Sequence, residues 1–276
     1  MFIKKEEISR LSTDIRKIID GQDIEIRDHR EGVWAILKND IHTLADLKKE
    51  QVRVLKKERD SMQETLANIS HQVKTPLTSM MIMADLLENA PPEKQQEFID
   101  NLKLGLSRLE WLAAALLKMA KLDAKAVEFD VKEIDSRVLI EMALEPVSIL
   151  LELKNQKIEI EGQANVLCDE RWTSEALSNI IKNASEYSPS DATIFVKVGK
   201  NPISAWIAVT DAGEGLSPKE IPKLFERFKG SRSEKGYGIG LPLAETIMRS
   251  QNGDIEIDGG GQGKGATFTL KIFHGL

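Results

Sequence analysis

Cysteine is nearly missing from this chain of 276 residues, and the single one, Cys168, excludes a disulfide within it. Such usage fits a reducing compartment. In "NVLCDERW" the residue reads as a small core side chain rather than a nucleophile. Long apolar runs are missing as well. The longest, "WLAAALL" at 111–117, falls far short of the roughly 18 residues that a membrane span needs. "MFIKKEEISR" has no apolar core of a secretion signal. The chain as it stands is therefore expected to be cytoplasmic, with any anchoring in the inner or plasma membrane left to a sensor segment outside it. Nor is positive charge in excess: 38 Lys and Arg against 44 Asp and Glu leave −6, which disfavours a nucleic-acid partner.

What is present is a charged, helix-rich first half. The apolar fraction of 41% and charged fraction of 30% suit a globular or helical-bundle protein, and the length allows about two domains of roughly 100–200 residues. Residues 1–60 read as a signal-relay or coiled-coil segment. There "DGQDIEIRDHREG" predicts a turn or short extended piece, and Ile36, Leu37, Ile41, Leu44, Leu47, Val54 and Leu55 follow at mostly helical spacing. Residues 61–126 carry two strong helical patterns. Met62, Leu66, Ile69, Val73 and Met80 recur in steps of three, four or seven, a core-facing seam. "NAPPEK" at 89–94 interrupts it, with Pro91 and Pro92 suited to a loop and to the first turn of the next helix. That helix carries Phe98, Leu102, Leu109, Leu112, Leu116 and Met119. A hairpin with two apolar stripes needs more helices to close its core, so a homodimer forming a four-helix bundle is predicted.

From residue 127 to 276 the pattern turns mixed. "KIEIEG", "TIFVKVG", "SAWIAVTDAG", "DIEIDGG" and "GATFTLKIF" alternate as strands do, between helical patterns at 135–153, 171–186 and 238–250. An α+β two-layer sandwich, helices over one face of a mixed sheet, is expected. Most of the 18 glycines fall here. Taken singly, each glycine-rich piece says little: "DAGEGL" is a turn after a strand, and "GQGKGATF" a hairpin loop. "GYGIGLPLAETIM" leads into a helix whose first N–H groups suit an anion.

Context adds weight. "EALSNIIKNASEYSP" sets Glu175, Asn179, Asn183 and Tyr187 four residues apart along one helix face, with Leu177, Ile180 and Ile181 packing on the other. Asn is a poor helix former, and a carboxamide oxygen can ligate Mg²⁺. In the hairpin, "ISHQVKTPL" puts His71 between seam positions Ile69 and Val73, so its ring projects from the flank. A neutral imidazole has one ring nitrogen available as a nucleophile. Pro76 lacks the N–H that would bond the carbonyl of Gln72, which suits a bend beside that ring.

These patches, in this order, resemble the sensor histidine kinases. "NIIKNASEYS", "DAGEG", "FERF", "GYGIGL" and "GKGATF" look like the N, G1, F, G2 and G3 boxes of their ATP-binding domain, in the GHKL or Bergerat fold shared with gyrase, Hsp90 and MutL. "ISHQVKTPL" resembles the phosphoacceptor H box of their dimerisation domain, and the likeness covers 61–276. The resemblance implies ATP and Mg²⁺ as cofactors. By it Asn179 ligates Mg²⁺, Asn183 contacts the phosphates, Tyr187 packs beside adenine and Asp211 accepts from the adenine amino group. Gly213 and Gly215 let the backbone approach the base. Lys229, Arg232, Lys235 and Gly236 belong to a lid over the triphosphate. Gly238, Gly240 and Leu241 open the helix beneath the phosphates, and Thr267 belongs to the G3 box.

By the same resemblance His71 takes the γ-phosphoryl group of ATP. No receiver-like segment is present, so the onward acceptor is the receiver domain of a separate response regulator. One departure stands out: the family usually has Glu or Asp after the His, and this chain has Gln72. A neutral acceptor in place of a carboxylate is worth on the order of 1 kcal/mol less, about tenfold in rate, and loss of a true general base about 10²–10⁴. Thr75, one turn beyond His71, corresponds to the position that orients water for dephosphorylating the partner. A phosphatase-dominant kinase, or a degenerate one serving as a nucleotide-binding scaffold, is the alternative. An ATP hydrolase using Glu175 as base is a further rival, against which the H-box hairpin speaks. The first sixty residues loosely resemble the distal half of a HAMP-type linker.

Overall fold

The computed structural model describes residues 5–20, 22, 24–27, 32–228, 238–261 and 263–274. The chain divides into two compact units, residues 1–67 and 68–276. In the first, helix α1 spans Lys5–Ile19, with Glu6 and Glu7 in its first turn and Arg16 and Lys17 in its last, the order the helix dipole favours. Helix α2 begins at Val33 and runs unbroken to Glu88. Among the described residues of this unit, Leu11, Ile26 and Ala35 are the buried apolar ones. Helix α1 was not expected. Ile8, Leu11, Ile15 and Ile18 hold its helical spacing inside a charged stretch with no turn residues to mark its start.

The second unit contains the predicted hairpin. Helix α3 spans Pro92–Asp123, with Pro91 as its extended N-cap and Pro92 at the first helical position. Pro76 lies inside α2, which continues through it. No loop marks the expected break at residue 60, because α2 is continuous there. Nor does the hairpin stand apart at residue 126: Leu112, Ala115, Met119 and Leu122 of α3 already share the core of the α/β portion.

That portion is the expected two-layer sandwich. Strands β2 (Lys157–Glu161), β4 (Thr193–Lys200), β5 (Ser204–Thr210), β6 (Gly253–Asp258) and β7 (Thr267–Phe273) form a sheet in the order β2-β4-β5-β7-β6. The β2–β4 pair is parallel and the other pairs are antiparallel. Alternate residues Ile194, Val196 and Val198, Ala205, Ile207 and Val209, and Phe268, Leu270 and Ile272 are buried. Helices α4 (Ser136–Leu144), α6 (Glu170–Tyr187) and α7 (Gly240–Ser250) pack buried residues into that core beside those of α3, and α5 is the short helix Ser148–Leu153. A second sheet pairs β1 (Val131–Asp135) with β3 (Asn165–Asp169), both unexpected from sequence. Neither "VKEID" nor "NVLCD" alternates apolar with polar residues, so no period of two reveals them. Cys168, on β3, is fully buried, and burial pushes its thiol up from the ordinary range, as a core residue rather than a nucleophile requires.

Helix α6 carries the burial that fixes the site. Leu177, Ile180 and Ile181 are fully enclosed, each contributing about 1.5–3 kcal/mol. Ile180→Ala is expected to cost about 2–5 kcal/mol in urea unfolding, through lost transfer energy and the cavity left behind.

Candidate functional site

The polar face of α6 is set at its start by Asp169. Its Oδ1 accepts from Trp172 N at 3.0 Å, capping the helix, and its Oδ2 accepts from Asp130 N at 2.9 Å. With the apolar stripe packed inward, Glu175, Asn179, Asn183 and Tyr187 line up on the other face, and the structure divides them. Asn183 and Tyr187 border a cavity of about 570 Å³ together with Asp211, Gly213, Glu214, Gly215, Leu216, Leu224, Ala266 and Phe268. That volume is in the range of a small-molecule site. Glu175 and Asn179 border a neighbouring cavity of about 360 Å³, shared with Trp111, Lys118 and Lys182.

Two loops close the larger cavity by main-chain bonds. Asp211 N donates to Ala266 O (3.0 Å), Gly265 N to Gly213 O (3.0 Å), Gly263 N to Glu214 O (2.7 Å) and Leu216 N to Gly259 O (2.9 Å). Such close approach excludes side chains, as two of the glycines show. Gly215 has φ +80°, and a Cβ there would collide with the carbonyls of Gly259 and Gly261; Gly265 has φ +72°, and a Cβ there would collide with the carbonyl of Asp211. Asp211 is 7% exposed, and its Oδ1 accepts from Gly213 N (2.8 Å) and Ala266 N (3.0 Å). Burial holds its carboxyl above the ordinary range, the two N–H donors offsetting part of the rise.

Other candidates fall nearby. Asn179 donates its amide to Glu175 O at 2.9 Å, and its oxygen lies beside Gly240, where a Cβ would stand 3.0 Å from it. Gly240 and Leu241 begin α7, whose first main-chain N–H groups have no partner within the helix. Gly238 has φ +63°, and its carbonyl accepts from Phe228 N at 2.9 Å. Lys229, Arg232, Lys235 and Gly236 lie outside the described residues. Thr267 does not border the cavity: its hydroxyl meets that of Thr210 at 2.9 Å across β5 and β7. Strand alternation instead puts Ala266 and Phe268 on the cavity side, a parity that "GATF" already contained.

On the hairpin, His71 is exposed and Gln72 half-buried, while Thr75 donates its hydroxyl to the carbonyl of His71 at 3.1 Å. Contacts the sequence did not reveal tie α3 to the α/β portion. Arg227, from "FERF", grips Asp123 with two bonds of 2.7 and 2.8 Å, which hold the Asp123 carboxyl below its ordinary range. Lys118 pairs with Glu175 at 2.8 Å, and Lys182 lies 4.9 Å from the ring centre of Trp111. Glu175 is thus paired with Lys118 and borders the smaller cavity, apart from Asp211.

Comparison with known proteins agrees with this geometry. Residues 61–125 match the family described as "His Kinase A (phospho-acceptor) domain", and residues 168–275 that of "Histidine kinase-, DNA gyrase B-, and HSP90-like ATPase". The chain is 26% identical over 216 residues to the sensor-like histidine kinase SenX3 of Mycobacterium tuberculosis, covering 75% of this chain and 52% of that one. It is 30% identical over 226 residues to the heme sensor protein HssS of Staphylococcus saprophyticus, covering 80% and 49%. The chain thus spans about half the length of these relatives. Histidine kinase ThkA, solved in complex with response regulator protein TrrA, shares the fold at a TM-score of 0.64 and 19% identity, over 82% of this chain and 66% of that one. With a phosphoacceptor hairpin followed by a nucleotide-type sandwich, both matched in order, the chain belongs to the two-component sensor histidine kinases.

Proposed function

We propose that this chain transfers the γ-phosphoryl group of ATP to His71 and passes it to an aspartate of a separate response regulator. The observation that carries this reading is the joining, in one cavity, of Asn183 and Tyr187 with Asp211, Gly213 and Gly215, on a chain that also displays an exposed His71. Adenine fits the cavity beside Tyr187. Asp211 keeps Oδ1 on Gly213 N and Ala266 N and turns Oδ2 to the amino group, which selects adenine over guanine. Gly240 N and Leu241 N at the start of α7 face the phosphates. Lys229, Arg232, Lys235 and Gly236 would close over them.

Mg²⁺ suits the carboxamide oxygen of Asn179, with Asn183 contacting the phosphates. Among the described residues no group of three His, Cys, Asp or Glu side chains could hold a metal, so phosphate and water oxygens would complete the shell, as is usual for this ion. Bound there it would offset the charge of the phosphates. A ring nitrogen of His71 forms the new bond to phosphorus as the bond to the ADP oxygen breaks, and positioning supplies most of the rate.

Two hairpins would meet through Leu77, Met81, Ile82 and Leu86 of α2 and Leu104 and Leu106 of α3, all exposed in the single chain, giving a homodimeric four-helix bundle. Gln72 and Thr75 keep polar groups beside His71 and favour a second activity, removal of phosphate from the regulator. Among the described residues no helix is long and apolar enough to cross a membrane.

The test is incubation with Mg²⁺ and ATP labelled at the γ position. Acid-labile, alkali-stable label that chases to a receiver domain supports the reading. ATP turnover with no label on the protein would point to hydrolysis instead, and nucleotide binding with neither would point to a scaffold.

A further inference from the structure

The end of α6 is held in an unusual way. The last carbonyls of a helix have no partner within it, and water normally serves them. Here the Lys154 ammonium donates to Ser185 O (2.5 Å), Glu186 O (3.1 Å) and Ser188 O (2.9 Å), placing all three of its hydrogens on one helix terminus. Gln156 divides its two amide hydrogens among Ser185 O (3.1 Å), Ser188 O (3.1 Å) and Pro189 O (2.9 Å). Its oxygen accepts from the Ser185 hydroxyl at 2.6 Å. Ser185, Ser188 and Gln156 are 0%, 2% and 9% exposed, so water has little access to replace these bonds.

The clasp leads directly to the cavity. Ser188, held through its carbonyl by both residues, uses its hydroxyl to accept from Ala212 N at 3.0 Å. Ala212 is the residue between Asp211 and Gly213. Tyr187 O, in the same clasped turn, lies where a Cβ on Gly213 would come within 3.0 Å. The loop that bears Asp211 thus rests on the clasped turn at two points, and the clasp comes from the short connection between α5 and β2.

We infer that Lys154 and Gln156 are positioning residues of the base site, setting the width between Tyr187 and Asp211 through Ser188. This rests on the adenine reading given above. Neither residue borders the cavity; both act through the end of α6. A cation is suited to the task, because it draws three carbonyls to one point and favours the helix C-terminus.

The experiment measures the ATP dependence of autophosphorylation, with GTP as competitor, for the wild type, Lys154→Met, Lys154→Arg, Ser188→Ala and Asp211→Asn, alongside thermal unfolding. Lys154→Met and Ser188→Ala are expected to raise the half-saturating ATP concentration about tenfold, the equivalent of one to two lost bonds. The maximal rate should stay within about twofold, and the preference for ATP over GTP should narrow. Lys154→Arg should restore part of the preference. A residue that only stabilised the fold would lower the melting temperature and leave the ATP-to-GTP preference unmoved, and that result in Lys154→Met and Ser188→Ala overturns the inference. Should Lys154→Met fail to fold, Ser188→Ala alone decides. Retained ATP affinity in Asp211→Asn overturns the adenine reading and the inference with it; lost affinity there beside wild-type behaviour in the other variants overturns the inference alone.

Discussion

His71→Ala is expected to abolish protein-bound, acid-labile phosphate, a fall of at least about 10³ in labelling, because the nearby hydroxyls of Ser70 and Thr75 would form acid-stable esters. The ring is exposed and lies off the seam, so the substitution should change stability by no more than about 0.5 kcal/mol. Loss of label in a protein that still unfolds at the wild-type midpoint and still binds ATP would isolate the chemical role. Label that persists would move the acceptor elsewhere. Gln72→Glu is the companion measurement. A carboxylate in that place can accept the ring N–H as positive charge develops, and about a tenfold faster labelling is expected. A rate equal to wild type would mean that Gln72 costs nothing.

Asp211→Asn should separate binding from folding in the other active region. The asparagine oxygen can still accept from Gly213 N and Ala266 N, so the loops keep their bonds. Its amide, however, would turn a donor toward the adenine amino group, and a loss of about a hundredfold in ATP affinity is expected. Stability should hold or rise, since a buried charge is removed. The pH behaviour has a definite sign. Burial raises the folded-state pKa of Asp211 above the unfolded value, so folding takes up a proton between the two, and stability falls as pH rises through that window. Asp211→Asn lacks this slope. ATP binding runs the other way: it weakens on acidification as the carboxylate takes its proton, beginning above the ordinary aspartate range. Calorimetric titration across that window checks both, and flat binding there would remove Asp211 from base recognition.

Much of this architecture was legible before any coordinates. The hairpin could be read from Pro91 and Pro92 and from the seam through Met62, Leu66, Ile69 and Val73, because helical periodicity is a local property. The row from Glu175 to Tyr187 followed from spacing alone, though not its division between two cavities, which depends on where α3 packs. Strands β1 and β3 stayed hidden since neither alternates, and each is defined by its partner at least 30 residues away. Arg227 read as part of a motif, yet its hold on Asp123 joins residues 104 apart. No local pattern records such a pair. Thr267 reads as part of its box, and only the alternation of β7 separates it from Ala266 and Phe268.

The paired loops at 211–216 and 259–265 bear on how this site can vary over time. Their floor is main chain bonded to main chain, so most side chains there contribute little to its shape. A library of substitutions should split sharply. Gly215 and Gly265 would admit almost nothing, whereas Lys264, which does not border the cavity and whose main chain alone enters the loop bonding, would admit nearly any residue with a tolerable backbone preference. Selection at such a site acts on the absence of atoms. Drift can rewrite most of the letters while the few that stand for empty space persist, and a reader of diverged sequences would find the pocket by its gaps.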